Sequence, residues 1–112
     1  MHELGITRNI VSIVADAAKG RRVTGVTVDV GKLSGVMADA LAFCFDVVAK
    51  GSALEGAQLH IHEIEGRARC KACGAEFETP ALYTPCSCGS RDLIHISGEE
   101  LKIRSMELEE AA

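Results

Sequence analysis

The sequence has no tryptophan, one tyrosine and three phenylalanines, so aromatic side chains make up only 4% of its 112 residues. Platforms that stack single-stranded bases need several aromatic faces, and this chain has almost none. Nor is there an excess of positive charge, since 12 Lys and Arg stand against 16 Asp and Glu for a formal net charge of −4. A basic footprint over the chain as a whole is thereby excluded. No apolar run approaches the roughly 20 residues that cross a bilayer, and Met1-His2-Glu3 does not open a signal peptide. The expectation is a soluble, cytoplasmic, mildly acidic protein with neither a membrane nor a nucleic acid as partner.

What the chain does have is apolar bulk and cysteine. Hydrophobic residues reach 47%, enough to bury a real core in one small domain. Four of the five cysteines fall between Cys70 and Cys88.

Periodicity organises the remainder. Leu4, Ile10, Val11, Val14 and Ala18 recur at helical spacing, and Gly20 is a natural stop. Val26, Val28 and Val30 alternate with Thr27 and Asp29, which predicts a half-buried strand. A turn at 31–35, with Ser34 as candidate N-cap, leads into a strongly apolar helix over 36–49 that ends at Lys50-Gly51-Ser52. A second strand is expected over 58–64, with Leu59 and Ile61 on one face and His60 and His62 on the other. After a loop-rich cysteine segment over 67–92, residues 101–108 return to strand character. There Leu101 and Ile103 are out of phase with Met106 and Leu108, which a bulge near Ser105 reconciles. The expected fold is α+β. A three-stranded sheet is covered by two helices, and a small four-cysteine, zinc-ribbon-like lobe is inserted before the last strand. This divides the chain into 1–66 with 93–112, and 67–92.

The cysteines read C-x-x-C (Cys70, Cys73), twelve residues, then C-x-C (Cys86, Cys88). A tetrahedral zinc ion takes four thiolates, and two short chelating pairs on facing turns supply them. Gly74 and Gly89 follow the pairs and let the backbone turn its amides toward sulfur. Disulfides are the weaker reading, because nothing marks the chain as secreted. Zinc is favoured, with an iron–tetrathiolate electron carrier left open by the spacing alone. A closed four-cysteine site has no open coordination position, so it is structural or sensory rather than catalytic. Arg67, Arg69, Lys71 and Arg91 surround it in sequence. They offset its negative charge, or in the lesser reading touch nucleic acid. Cys44, alone between Phe43 and Phe45, is expected to be a buried core thiol.

Met1-His2-Glu3 is the second feature with chemistry. The terminal amine, the next amide nitrogen and the His2 imidazole close adjacent chelate rings suited to Ni(II) or Cu(II), with the Glu3 carboxylate nearby. On its own such a His is usually an accident of sequence. His60 and His62 share a strand face and have the spacing of a chelating pair, although solvent exposure or packing is the commoner fate of such residues. No nucleophile–base arrangement, P-loop or zinc-protease motif is complete, and no enzyme is expected.

Taken in order, the Met1-His2-Glu3-Leu4 opening, Gly31-Lys32-Leu33-Ser34, Leu54-Glu55-Gly56-Ala57, the cysteine pairs, Cys88-Gly89-Ser90 and Ser97-Gly98-Glu99-Glu100-Leu101 resemble the HypA/HybF family over nearly the whole chain. These are nickel metallochaperones of hydrogenase maturation. The resemblance implies Ni(2+) held at Met1, His2 and Glu3, with Asp39 a further candidate ligand, and Zn(2+) held by Cys70, Cys73, Cys86 and Cys88. It implies delivery of nickel to the [NiFe]-hydrogenase large-subunit precursor together with the GTPase HypB. Urease maturation proteins and a second copy of the chain are further candidate partners. The second cysteine pair departs from the family's usual C-x-x-C. Here Pro85 precedes Cys86 and a single residue separates the pair, which makes a tighter chelate ring.

Overall fold

The structure is a computed structural model that describes residues 3–110. Helix α1 (Glu3–Ala18) buries Ile6, Ile10, Val11, Val14 and Ala18 along one stripe. Leu4, expected on that stripe, is 40% exposed. A four-residue step back from Ile10 lands on Ile6, which takes the place instead. Strand β1 (Val23–Gly31) follows and sends Val26, Val28 and Val30 into the core.

Helix α2 (Ala38–Ala49) then carries the chain over the sheet to β2 (Gln58–Ile64), which lies parallel to β1 with Val26 opposite Leu59 and Val28 opposite Ile61. Such a parallel pair needs a crossover, and α2 supplies it. Ser34 does not cap this helix. Its hydroxyl accepts the Val36 amide inside the turn, and Met37 occupies the N-cap position with no side-chain bond of its own. The Glu3 carboxylate accepts the Met37 amide at 3.3 Å, so the start of α1 is tied to the start of α2. Leu41, Phe45 and Ala49 face the core, while Phe43 is 71% exposed and Cys44 is only partly buried. The expectation of a buried thiol at Cys44 is therefore corrected. In a helix apolar on every side, composition does not reveal which face turns inward.

Strand β6 (Leu101–Leu108) returns antiparallel to β1 and closes a sheet of order β2-β1-β6. Its register slips where Thr27 faces Ser105 but Val28 faces Ile103. That slip is the bulge the out-of-phase apolar pairs required. It lets Leu101, Ile103, Met106 and Leu108 all pack on the helix-covered side.

The cysteine segment is not loop alone. Strands β3 (Arg67–Cys70), β4 (Glu76–Glu78) and β5 (Leu93–Ser97) form a second sheet of order β4-β3-β5. β5, which a division at residue 92 leaves with the helices, is hydrogen-bonded into this second sheet. The two sheets meet at a tight junction. Leu33 donates its amide to Gly98 at 2.7 Å, Gly31 donates to Glu100 at 2.7 Å, and Leu33 itself is buried. The molecule is elongated, 59 × 25 × 17 Å, with the helices toward one end and the cysteines toward the other.

Candidate metal centre

Turns, rather than strands, position the four sulfurs. Cys70 ends β3, and the chain folds back so that Gly74 donates to the Cys70 carbonyl at 2.8 Å and Cys70 donates to Ala75 at 2.9 Å. The second pair repeats this arrangement, with Gly89 donating to Cys86 at 2.8 Å and Cys86 to Ser90 at 2.9 Å. Gly74 and Gly89 sit at φ +77° and +91°, a left-handed region that a side chain would strain.

The result is one cluster in which all four sulfurs lie within 4.8 Å of one another. The Cys70–Cys88 sulfurs are 3.7 Å apart and the Cys73–Cys86 sulfurs 3.6 Å. Disulfides need about 2.05 Å, so these thiols are not cross-linked. A tetrahedron with metal–sulfur bonds of about 2.3 Å has edges of about 3.8 Å, close to both separations. Cys70 and Cys86 are buried, Cys73 and Cys88 exposed, so the cluster has one closed side and one side toward water.

Amides aimed at the sulfurs prepare them for charge. The Cys73 and Ala72 amides hydrogen-bond the Cys70 sulfur and lower its thiol pKa to about 6. The Ser90 amide draws Cys88 down, but the crowding thiols of Cys86 and Cys70 outweigh it and lift Cys88 to about 11. The Ala75 amide likewise draws Cys73 down, and the Cys86 and Cys70 sulfurs outweigh it so that this thiol is raised. Four sulfurs this close resist ionising together unless a cation sits among them. The donor set fits a divalent tetrathiolate site.

Carboxylates interleave with the surrounding cations. Arg67 and Arg69 lie opposite Glu78 and Glu76 across β3 and β4, and Lys71 is 3.6 Å from Asp92. This interleaving leaves no uniform basic surface on the lobe.

Met1 and His2, the expected nitrogen ligands, lie outside the described residues. Glu3 is described. Its bond to Met37 brings the first turn of α1 beside the turn of α2 that carries Asp39. His60 and His62 lie on the open face of the first sheet, His62 at 3.1 Å from Asp29 and His60 at 4.0 Å from Glu107. Among the described residues, only the cysteines form a metal-suited group of three or more.

Asp29 itself was unremarked in the sequence beyond its place in an alternating strand. It is 1% exposed and lies under His62, Arg104 and Lys102, with Arg104 Nε at 3.1 Å. Burial raises its pKa, but the hydrogen bonds from His62 and Arg104 outweigh burial and hold the carboxyl below its ordinary value. A carboxylate in the middle of a valine-rich strand was the available signal.

Comparison with known proteins follows from this geometry. A family model described as hydrogenase/urease nickel incorporation, metallochaperone, hypA, matches residues 1–108. The chain belongs to the HypA family. A hydrogenase maturation factor HypA from Nostoc sp. is 53% identical over 110 residues, covering 98% of this chain and 97% of the relative. The HypA of Geobacter metallireducens is 44% identical over 110 residues, covering 97% of this chain and 100% of its own. Among solved structures, one titled solution structure of HypA protein superposes with a TM-score of 0.70 at 25% identity, covering 96% of each chain. The Ni metallochaperone HypA from Helicobacter pylori gives 0.67 at 24% identity, covering 96% of this chain and 97% of that one, a likeness of fold. HypA proteins are maturation factors and metallochaperones, so the four-sulfur cluster belongs to a metal-handling family. Among the described residues, no helix is long and apolar enough to cross a membrane.

Proposed function

We propose that this HypA protein binds Ni(II) at Met1, His2 and Glu3 and hands it on for maturation of [NiFe]-hydrogenase, while Cys70, Cys73, Cys86 and Cys88 hold a structural zinc. The partners in this reading are the GTPase HypB and the hydrogenase large-subunit precursor, met in the cytoplasm. The observation that supports it is the hydrogen bond from the Met37 amide to the Glu3 carboxylate, which brings the first turn of α1 beside the start of α2 and its Asp39. That tie also supports Asp39 as an additional carboxylate near the nickel.

The two sites divide the work. A closed tetrathiolate holds its metal and folds its lobe, and the pairing of β5 with β3 supports a lobe that extends through β5. A terminal nitrogen site is open to exchange, as cargo must be. Protons compete with the metal for the amine and imidazole nitrogens, so nickel affinity falls as pH drops.

Titration calorimetry on the untagged protein tests the reading. His2→Ala, or residues fused ahead of Met1, abolishes tight nickel binding and leaves the zinc content unchanged. Nickel affinity that survives either change overturns the site.

A further inference from the structure

The open face of the sheet β2-β1-β6 carries polar side chains that the cysteine centre does not use. His60 and His62 stand on β2, Asp29 on β1, and Lys102, Arg104 and Glu107 on β6. Charged residues on such a face are ordinarily a solvated cover. Two features set this group apart.

The first is a buried carboxylate behind one of the histidines. Asp29 is 1% exposed, and its Oδ1 lies 3.1 Å from His62 Nδ1. A carboxylate only accepts, so in the neutral ring this bond puts the proton on Nδ1 and leaves the lone pair on Nε2. Among the described residues Nε2 has no partner, and the side chain is 55% exposed. A ring held from one side by a carboxylate, with its other nitrogen unclaimed, is the arrangement in which histidine binds metal ions.

The second is spacing. His60 lies two residues away on the same face, about 6.6 Å along the strand. Imidazoles at that separation lean together onto one ion, whose adjacent nitrogens stand about 3 Å apart for metal–nitrogen bonds of about 2.1 Å. A carboxylate approaches from across β1. Gly25 lies opposite Glu107, and a Cβ there would strike the Glu107 carboxylate. Over that bare glycine Glu107 comes within 4.0 Å of His60 Nε2. His60, His62 and Glu107 do not form a closed three-ligand cluster here, and the half-exposed rings have room to turn onto an ion. Nor does the charge of the face repel a cation. Lys102 and Arg104 both lie against Asp29, at 4.0 and 3.1 Å, and Asp29 and Glu107 balance them.

We propose that His60 and His62 form a second, exchangeable site for a late first-row divalent cation, with Glu107 and water completing its coordination. The donors select the class, because imidazole suits nickel, copper and zinc whereas calcium and magnesium need sets of oxygens. Two nitrogens and one carboxylate leave positions to water, so the ion exchanges readily, unlike one enclosed by four sulfurs. Asp29 is a positioning residue that fixes which nitrogen His62 offers. The site shares no residue with the N-terminal nickel reading and does not rest on it.

The test adds Ni(II) to the zinc-loaded, untagged full chain carrying His2→Ala. Titration calorimetry is expected to show one weaker equivalent of nickel, distinct from the tight binding that His2→Ala removes. Adding His60→Ala or His62→Ala weakens this equivalent about tenfold or more, while zinc content and circular dichroism stay those of the parent. In NMR spectra the paramagnetic ion broadens the ring signals of His60 and His62 ahead of those of His95, and before nickel is added proton–nitrogen correlations show His62 protonated on Nδ1. Three results overturn the proposal: no weaker equivalent in the His2→Ala chain, an equivalent indifferent to both further alanine changes, or a neutral His62 protonated on Nε2. The tight binding of the wild type is read separately, so none of these results bears on the N-terminal site.

Discussion

The two lobes are of comparable complexity in strand count but are held together by different forces. The helix-covered sheet has a continuous apolar core from Ile6 to Ala57, centred on Phe45, Leu41 and the β1 valines. The cysteine lobe contributes no member to that core. Its buried set is Ala68, Cys70, Cys86 and Thr79, all of them small side chains and two of them sulfur donors. Three short strands with so little apolar area do not hold together in water on their own. One lobe is stabilised by area removed from water, the other, in the proposed reading, by the bonds its sulfurs make to a metal, and each then fails by its own route.

Removing the metal separates them most sharply. Stripping the cysteine site with a chelator, or Cys70→Ser, is expected to unfold residues 67–97 while the helical lobe keeps its structure. Amide exchange mapped by NMR checks this. Protection lost from β3–β5 and kept in α1, β1 and β2 sustains the contrast, whereas uniform loss shows that the junction at Leu33 and Gly98 makes the lobes one cooperative unit.

Phe45→Ala reverses the experiment. The side chain is fully buried, and truncation costs about 3–5 kcal/mol of stability. Denaturant unfolding should show that loss in the helical lobe, with stoichiometric metal still bound at the cysteines.

A smaller effect sharpens the picture within the first lobe. Asp29 has a folded pKa held below its ordinary value by His62 and Arg104. A depressed carboxyl pKa stabilises the fold above the unfolded value, about 3.9, and that contribution is lost as pH falls through the lower folded value. Asp29→Asn should thus be less stable than the wild type at neutral pH, and the gap should close below about pH 4. Thermal melts across that range decide it. A gap independent of pH assigns the loss to packing alone.

How legible all this was depends on the kind of signal. Chelating cysteine pairs are local and carry their geometry with them, so Cys70, Cys73, Cys86 and Cys88 could be read as one site before any fold was known. Strict alternation likewise placed β1 and β2, and its failure in β6 predicted the bulge near Ser105. Short strands were harder. β3, β4 and β5 are three to five residues long and mix Arg, Glu and His with a few apolar positions, so neither hydrophobic pattern nor length set them apart from loop. Ser34 has the chemistry of an N-cap, yet the helix begins three residues later because the turn consumes its hydroxyl.

By itself, then, the sequence determined what is written in near neighbours: two amphipathic or apolar helices, the valine strand, the four-thiol ligand set and the order of motifs that marks a HypA protein. Only the tertiary structure decided what depends on residues distant in the chain. It turned Cys44 aside from the core, brought Asp29 under Arg104 from 75 positions away, tied Glu3 to the head of α2 and joined β5 to β3. Short-range spacing fixes chelates and periodicity. Burial and charge pairing are properties of the packed chain, and they exist only once the elements meet.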